Sequence, residues 1–228
     1  MKFEGILLDL DNTVYDYKRA HGPAIAAALK WLAAELEQSF ADVEKQYVEC
    51  RQKVNKNLYG LASSHSRLLY FQGIAEAFGR FPNKVAATAE DRYWQVFFEN
   101  MHLRPNCLAF LQSVNLPIAI VTDLTARVQF DKIAHLNIAS YLQAIVTSEE
   151  SGHEKPHPRI FELAAEKLDL PLTTLCMIGD SFERDIAGAR KLGLDCYWFN
   201  TTPDNVMRVD DKTTIFDDFL QLQQLVKA

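Results

Sequence analysis

A chain of 228 residues with 48% hydrophobic content can bury a sizeable core, which excludes a disordered polymer and suits one large domain or two modest ones. A formal charge of −6 and an isoelectric point near 5.5 offer no basic face for displacing counterions from a nucleic acid, so small-molecule chemistry is the better expectation. The cysteines Cys50, Cys107, Cys176 and Cys196 are scattered, without a C-x-x-C pair, and read as small hydrophobes of a reduced, cytoplasmic protein. Glu4 and Asp9 interrupt what a signal peptide would need, and no run approaches the roughly eighteen apolar residues of a membrane span, so neither secretion nor a membrane is expected.

In chain order, the first apolar run, 3–10, reads as a buried strand ending in Asp9-Leu10-Asp11-Asn12-Thr13. The texture then changes to Ala, Leu, Gln, Lys and Glu. Residues 17–102 carry almost no strand signal and predict an all-helical insert. Ile25, Leu29, Leu32, Ala33 and Leu36 share one helical face, and Trp94, Phe97, Phe98 and Met101 another, both read as packing inside the insert. A helix over 105–115 is expected, with Pro105 in its first turn.

A second strand over 117–122 ends in Thr122-Asp123, and a helix follows over 125–136. The third strand, 144–147, leads to Glu154-Lys155-Pro156 and a helix over 158–168. The fourth, 175–178, runs into Gly179-Asp180-Ser181-Phe182-Glu183-Arg184-Asp185 and a helix over 183–192 that stops at Gly193. A fifth strand spans 194–199. This alternation predicts an α/β fold, with a doubly wound, parallel, Rossmann-like core built from 1–16 and 103–228 and the helical insert 17–102.

Ligands of open parallel sheets bind beyond the carboxyl ends of the strands, and four such ends here carry polar residues. Taken singly, each has an ordinary structural reading. Aspartates close turns, Thr122 can bond to backbone, Asp180 with Glu183 three residues on can cap a helix, and Lys155 can be a solvated loop lysine. Taken together they need a common cause. The set resembles the haloacid dehalogenase superfamily: D-x-D-x-T matches Asp9, Asp11 and Thr13, a strand ending in Ser or Thr matches Thr122, a lysine before proline matches Lys155, and G-D-x-x-x-x-D matches Gly179, Asp180 and Asp185. The matching positions span about 1–15 and 103–200, and the helical insert lies where that superfamily places a cap. One departure is Asp123, where asparagine is frequent in the superfamily.

The resemblance implies a Mg²⁺-dependent phosphohydrolase acting on a small phosphorylated metabolite, a nucleotide monophosphate or a sugar phosphate, through an aspartyl-phosphate. Asp9 is then the nucleophile. Asp11 is the acid that protonates the leaving alkoxide and the base that later activates water, and neighbouring charge and burial are expected to raise its pKa. Thr122, Asp123 and Lys155 would meet the phosphate, while Asp9, Asp180 and the carbonyl of Asp11 would hold Mg²⁺. Thr13 and Asp185 would support them. A carboxylate approaching a phosphate meets repulsion of about 4 kcal/mol per unit-charge pair at about 4 Å and an effective dielectric near 20, which explains why the cation and Lys155 are required.

Other readings remain open at this point. A phosphomutase would use the same residues, a haloacid dehalogenase would not need Asp11, and a receiver-like signalling module would place its phosphoacceptor on a middle strand. Among the histidines, His153 and His157 flanking Lys155 read as loop residues, and His21 is a candidate substrate contact.

Overall fold

The computed structural model describes residues 3–202 and 210–227. The strands are β1 (Gly5–Leu8), β2 (Ile118–Thr122), β3 (Ala144–Thr147), β4 (Leu175–Gly179), β5 (Asp195–Phe199) and β6 (Thr213–Phe216). The helices are α1 (Tyr17–Glu35), α2 (Phe40–Asn57), α3 (Arg67–Ala77), α4 (Pro82–Glu99), α5 (Cys107–Ser113), α6 (Ala126–Leu136), α7 (Ser148–Ser151), α8 (Pro158–Leu168), α9 (Ala187–Lys191) and α10 (Phe219–Lys227). The chain divides into two compact units, 1–16 with 102–228 and 17–101.

All the strands of the first unit pair in parallel in the order β3-β2-β1-β4-β5-β6. The chain builds outward from β1 through β2 to β3, then returns to place β4 on the other side of β1. The strand order therefore reverses between β1 and β4, the topological switch point at which such sheets bind ligands. Leu7, Ala119, Val121 and Met177 pack with Ile160, Phe161 and Ala164 of α8 and Ala189 of α9 in one core. Ile6, Leu8 and Ile120 alternate with them on the opposite face and are equally buried, as expected of a parallel sheet apolar on both sides.

Three local differences from the expected elements have physical causes. The helix expected from 105 begins at Cys107, because Asn106 takes a left-handed φ of 61° and separates Pro105 from it. The helix expected over 183–192 opens as a wide turn, in which the amide of Ile186 donates to the Ser181 carbonyl five residues back, before α9 begins. The edge strand β6, beside β5, is too short and polar at Thr213-Thr214 to stand out by periodicity.

In the second unit α1 packs against α4, and α3 against both α4 and α2. Small residues decide the α1 face: Ala20, Ala24 and Ala28 are buried with Leu29 and Leu32, whereas Ile25 lies at the margin. Tyr93, Trp94, Phe97 and Phe98 form a chain of ring contacts with centroids 4.9–6.1 Å apart.

Candidate active site

At the end of β1 the amide of Asp9 donates to the Ile178 carbonyl at 2.9 Å, which carries the pairing with β4 one residue past the strand. The Asp9 carboxylate is buried and both its oxygens are engaged: Oδ1 accepts from Lys155 Nζ at 2.6 Å and Oδ2 from Thr13 Oγ1 at 2.6 Å. Asn12 turns the chain with a φ of 66°, a conformation asparagine tolerates, and donates from Nδ2 to Asp180 Oδ2 at 2.6 Å. Arg104 secures this turn by donating to the Asn12 carbonyl at 3.0 Å.

From β4 come Asp180 and, one wide turn later, Asp185. Trp198 Nε1 donates to the Asp180 carbonyl at 2.9 Å, and the Ser181 amide donates to Asp185 Oδ2 at 2.9 Å, so both acids have fixed backbones or side chains. Gly179 is required by close approach: a methyl group on it would overlap the Asp185 carboxylate. Carboxylate oxygens of Asp9, Asp180 and Asp185 lie within 4.8 Å of one another.

Lys155 stands among these acids and is not a solvated loop residue. Its ammonium contacts Asp9 Oδ1 at 2.6 Å, Asp185 Oδ1 at 2.8 Å and the Val121 carbonyl at 3.0 Å, with 5% of the residue exposed. Thr122 is fully buried, and its hydroxyl accepts from Gln129 Nε2 at 2.6 Å. The Asp123 carboxylate accepts from the Lys155 amide at 2.9 Å and from Arg184 at 3.2 Å. It thus ties the lysine loop to the end of β2, a task for which a carboxylate serves.

Asp11 departs from the sequence expectation. The strand ends at Leu8, so the two-residue period no longer governs where Asp11 points, and its carboxylate is not part of the Asp9, Asp180 and Asp185 cluster. Lys132 and the Tyr15 hydroxyl donate to its Oδ1, and Gln129 Nε2 donates to Oδ2 at 2.7 Å. Burial opposes its ionisation, but the Lys132 charge and the bonds from Lys132, Tyr15 and Gln129 outweigh it and hold its pKa below the ordinary value. The expected upward shift is corrected to a downward one.

Sequence reasoning misses Lys132 and Gln129 because each is an ordinary surface residue in isolation. Their signal is positional: Gln129, Lys132, Ile133 and Leu136 are the buried stripe of α6, spaced three, four and seven residues from the first, and two of its four places are polar.

The acidic cluster strains against its own charge. Burial, and then the charge of Asp185 against the opposing pull of Lys155, leave the Asp9 carboxyl pushed up to about 7. Burial and the Asp9 charge raise Asp180 to about 6. Lys155 is held well above its ordinary value because Asp185, Asp9 and Asp123 outweigh the cost of burying it. Buried carboxylates that resist ionisation together, with oxygen donors only, form a donor set that fits a hard divalent cation.

Within the helical unit His21 stacks on Tyr17, with its Nδ1 2.9 Å from the Tyr93 hydroxyl. Burial, then the charges of Arg67 and Arg51, press its pKa down to about 4, so at neutral pH it is an uncharged ring. Arg67 is buried, donates to the His65 carbonyl and to the Tyr17 hydroxyl, and lies over the rings of Tyr17, Tyr70, Tyr93 and Trp94. His153 and His157 are exposed and stacked at 3.8 Å, and His157 Nδ1 caps α8 by accepting from the Arg159 amide.

Comparison with known proteins shows the family. A family model for haloacid dehalogenase-like hydrolases matches residues 3–193. The ribulose-1,5-bisphosphate 5-phosphatase of Halopiger xanaduensis is 37% identical over 209 residues, covering 88% of this chain and 86% of that protein. The glyceraldehyde 3-phosphate phosphatase of Methanopyrus kandleri is 30% identical, covering 84% and 81%. Among solved structures, a phosphatase from Thermococcus onnurineus superposes with a TM-score of 0.76 at 18% identity over 98% of this chain and 97% of that one. A 2-haloacid dehalogenase from Pseudomonas syringae superposes at 0.78 with 20% identity over 99% and 98%, which speaks to the fold alone. With the family model spanning most of its length and its motif residues gathered at the switch point of the sheet, the chain belongs to the haloacid dehalogenase-like hydrolases.

Proposed function

We propose that this enzyme is a phosphatase that hydrolyses a small sugar phosphate in two steps through Asp9. The observation that carries the reading is the buried Asp9 carboxylate, held between Lys155 and Thr13 and beside Asp180. In the first step an Asp9 oxygen forms a bond to phosphorus while the ester P–O bond breaks, and the departing alkoxide takes a proton from Asp11. In the second, water attacks phosphorus, the Asp9–phosphorus bond breaks, and Asp11 takes the water proton. Asp11 serves as the base of the second step in its ionised form, and its service as acid requires a proton gained on Oδ2, the oxygen that Lys132 does not engage.

Asp9, Asp180 and the backbone carbonyl of Asp11 are the groups that would hold Mg²⁺, which when bound screens the charge of the phosphoryl oxygens. Lys155 adds a compact positive charge at the same oxygens, and the Thr122 hydroxyl and the backbone at Asp123 would orient them. Sugar phosphates are favoured over nucleotides by the substrates named for the two relatives described above. Arg67, a buried cation for which no carboxylate ion pair occurs among the described residues, supports an anionic ligand for the helical unit. Asp11 weighs against dehalogenation, because a halide leaves without a proton. Release of inorganic phosphate from a panel of sugar and nucleotide monoesters with Mg²⁺ tests the reading, and an enzyme that moves phosphate only between sugar hydroxyls would replace it with a mutase.

Removal of divalent cations with EDTA is expected to abolish phosphate release. In the same protein, added Mg²⁺ should raise the melting temperature more at about pH 8 than at about pH 5.5, because the cation competes with the protons that Asp9 and Asp180 retain up to about 7 and 6. Equal stabilisation at both pH values would remove these acids from the cation site. Calcium should support turnover poorly, since its larger, looser shell can take both Asp9 oxygens.

Asp11→Asn should lower turnover of an alkyl phosphate by roughly 10²–10⁴, because a basic alkoxide needs its proton in the transition state. With p-nitrophenyl phosphate the first step should suffer less, and the missing base should let phosphoenzyme accumulate behind a burst of nitrophenol. Rapid mixing with intact-protein mass spectrometry measures both. Equal losses on the two substrates without a phosphoenzyme would take the acid and base role from Asp11.

A further inference from the structure

We propose that Lys132, together with Gln129, is a positioning residue that fixes the Asp11 carboxylate and registers it against Thr122; this rests on the reading of Asp11 as acid and base. Three donors converge on Asp11, with Lys132 and Tyr15 on one oxygen and Gln129 on the other, so the rotation of the carboxylate is fixed at both ends. The same amide nitrogen of Gln129 also lies 2.6 Å from Thr122 Oγ1 and 2.6 Å from the Asp123 carbonyl, so its two hydrogens are shared among these and Asp11. The end of β2, which meets the phosphate, and the acid beyond β1 are thereby held in one network carried by a single helix.

Stability alone gives little reason for a lysine here. Lys132 is wholly buried, while the acid it faces keeps a quarter of its side chain exposed. An ion pair of this kind contributes little over an apolar side chain of similar volume, because the desolvation of the ammonium offsets most of the attraction. A methionine at this buried place in the α6 stripe would avoid that cost. What methionine lacks is a donor for Asp11. The geometry therefore gives Lys132 a task in catalysis that it performs through another residue, with no contact to substrate required.

A double-mutant cycle on the full chain tests this. Lys132→Met should lower kcat on a sugar phosphate about 100-fold, the scale on which a misplaced catalytic group acts. KM should stay within about threefold, and p-nitrophenyl phosphate, whose leaving group needs no proton, should lose much less in the first step. In the Asp11→Asn background the same substitution should have almost no further effect, since the carboxylate it positions is gone. Tyr15→Phe, which removes one hydroxyl and keeps the ring, provides a milder variant if Lys132→Met does not fold, and should show the same loss of effect beside Asp11→Asn. Additive losses, with Asp11→Asn costly by itself, would overturn the positioning role and leave the acid and base reading intact. A harmless Asp11→Asn would overturn that reading and the positioning role with it.

Discussion

Asp9→Asn is expected to reduce phosphate release by a factor on the order of 10⁴ or more while the protein stays folded, because an amide cannot supply the oxygen nucleophile and nothing else in the mechanism replaces it. Retention of the fold follows from the electrostatics. The carboxyl of Asp9 is pushed up to about 7 by burial, so near neutral pH its ionised and neutral forms are close in free energy. An amide of the same shape keeps an acceptor oxygen for Lys155, which still has Asp185 at 2.8 Å. The melting temperature should therefore move little while turnover vanishes. Steady-state phosphate release beside a thermal melt checks both halves, and residual activity within tenfold of the wild type would assign the nucleophile elsewhere.

Lys155→Met should differ in losing both activity and stability. Turnover should fall by roughly 10³, the scale seen when a preorganised charge at the reacting oxygens is removed. Read as a loop lysine, Lys155 would leave folding undisturbed, but its ammonium neutralises Asp9 and Asp185, and breaking such a buried arrangement costs about 3–5 kcal/mol. The pH dependence has a definite sign. Asp9 and Asp185 have raised folded-state values, so the folded protein retains protons that an unfolded chain releases above about pH 4, and stability contributed by these groups is lost as pH rises through that window. Without Lys155 the loss should be steeper, and the variant should approach wild-type stability as the medium is acidified towards pH 5. Denaturant melts across pH test this, and a uniform deficit at every pH would make the defect one of packing.

Much of the site is legible in the amino-acid sequence because strand-end chemistry and apolar runs are local. The order Asp9, Thr122, Lys155 and Gly179-Asp180 can be read along the chain, and the sheet brings Asp9 and Asp180 to adjoining strand ends, where Lys155 reaches in from the loop beyond β3 past the Val121 carbonyl of β2. The burial of Lys155 is not legible, because a lysine before proline looks the same in a solvated loop. It comes from contacts distant in sequence, the Asp9 and Asp185 carboxylates and the Val121 carbonyl, while Gly188 of α9 leaves room for the neighbouring Pro156, whose Cβ would lie 2.8 Å from a methyl group there. The setting of Asp11 is hidden for a related reason. A carboxylate two residues from another suggests a raised pKa, whereas the governing charge lies on Lys132, distant in sequence and recognisable only as a polar break in a helical stripe. Asp123 shows the converse: unexpected beside the threonine, it is accounted for by the Lys155 amide and Arg184 that it joins.

The covalent role of Asp9 is tested most directly by trapping. Asp11→Asn protein mixed with p-nitrophenyl phosphate and Mg²⁺, quenched in acid and reduced with borohydride, should yield homoserine in place of aspartate at position 9 and at no other position, since an acyl phosphate is reduced where a free carboxylate is not. Peptide mapping by mass spectrometry should find the phosphoryl group on the same residue in the unreduced sample. Homoserine at Asp11 or Asp180, or nitrophenol released with no phosphoprotein at any mixing time, would contradict the account.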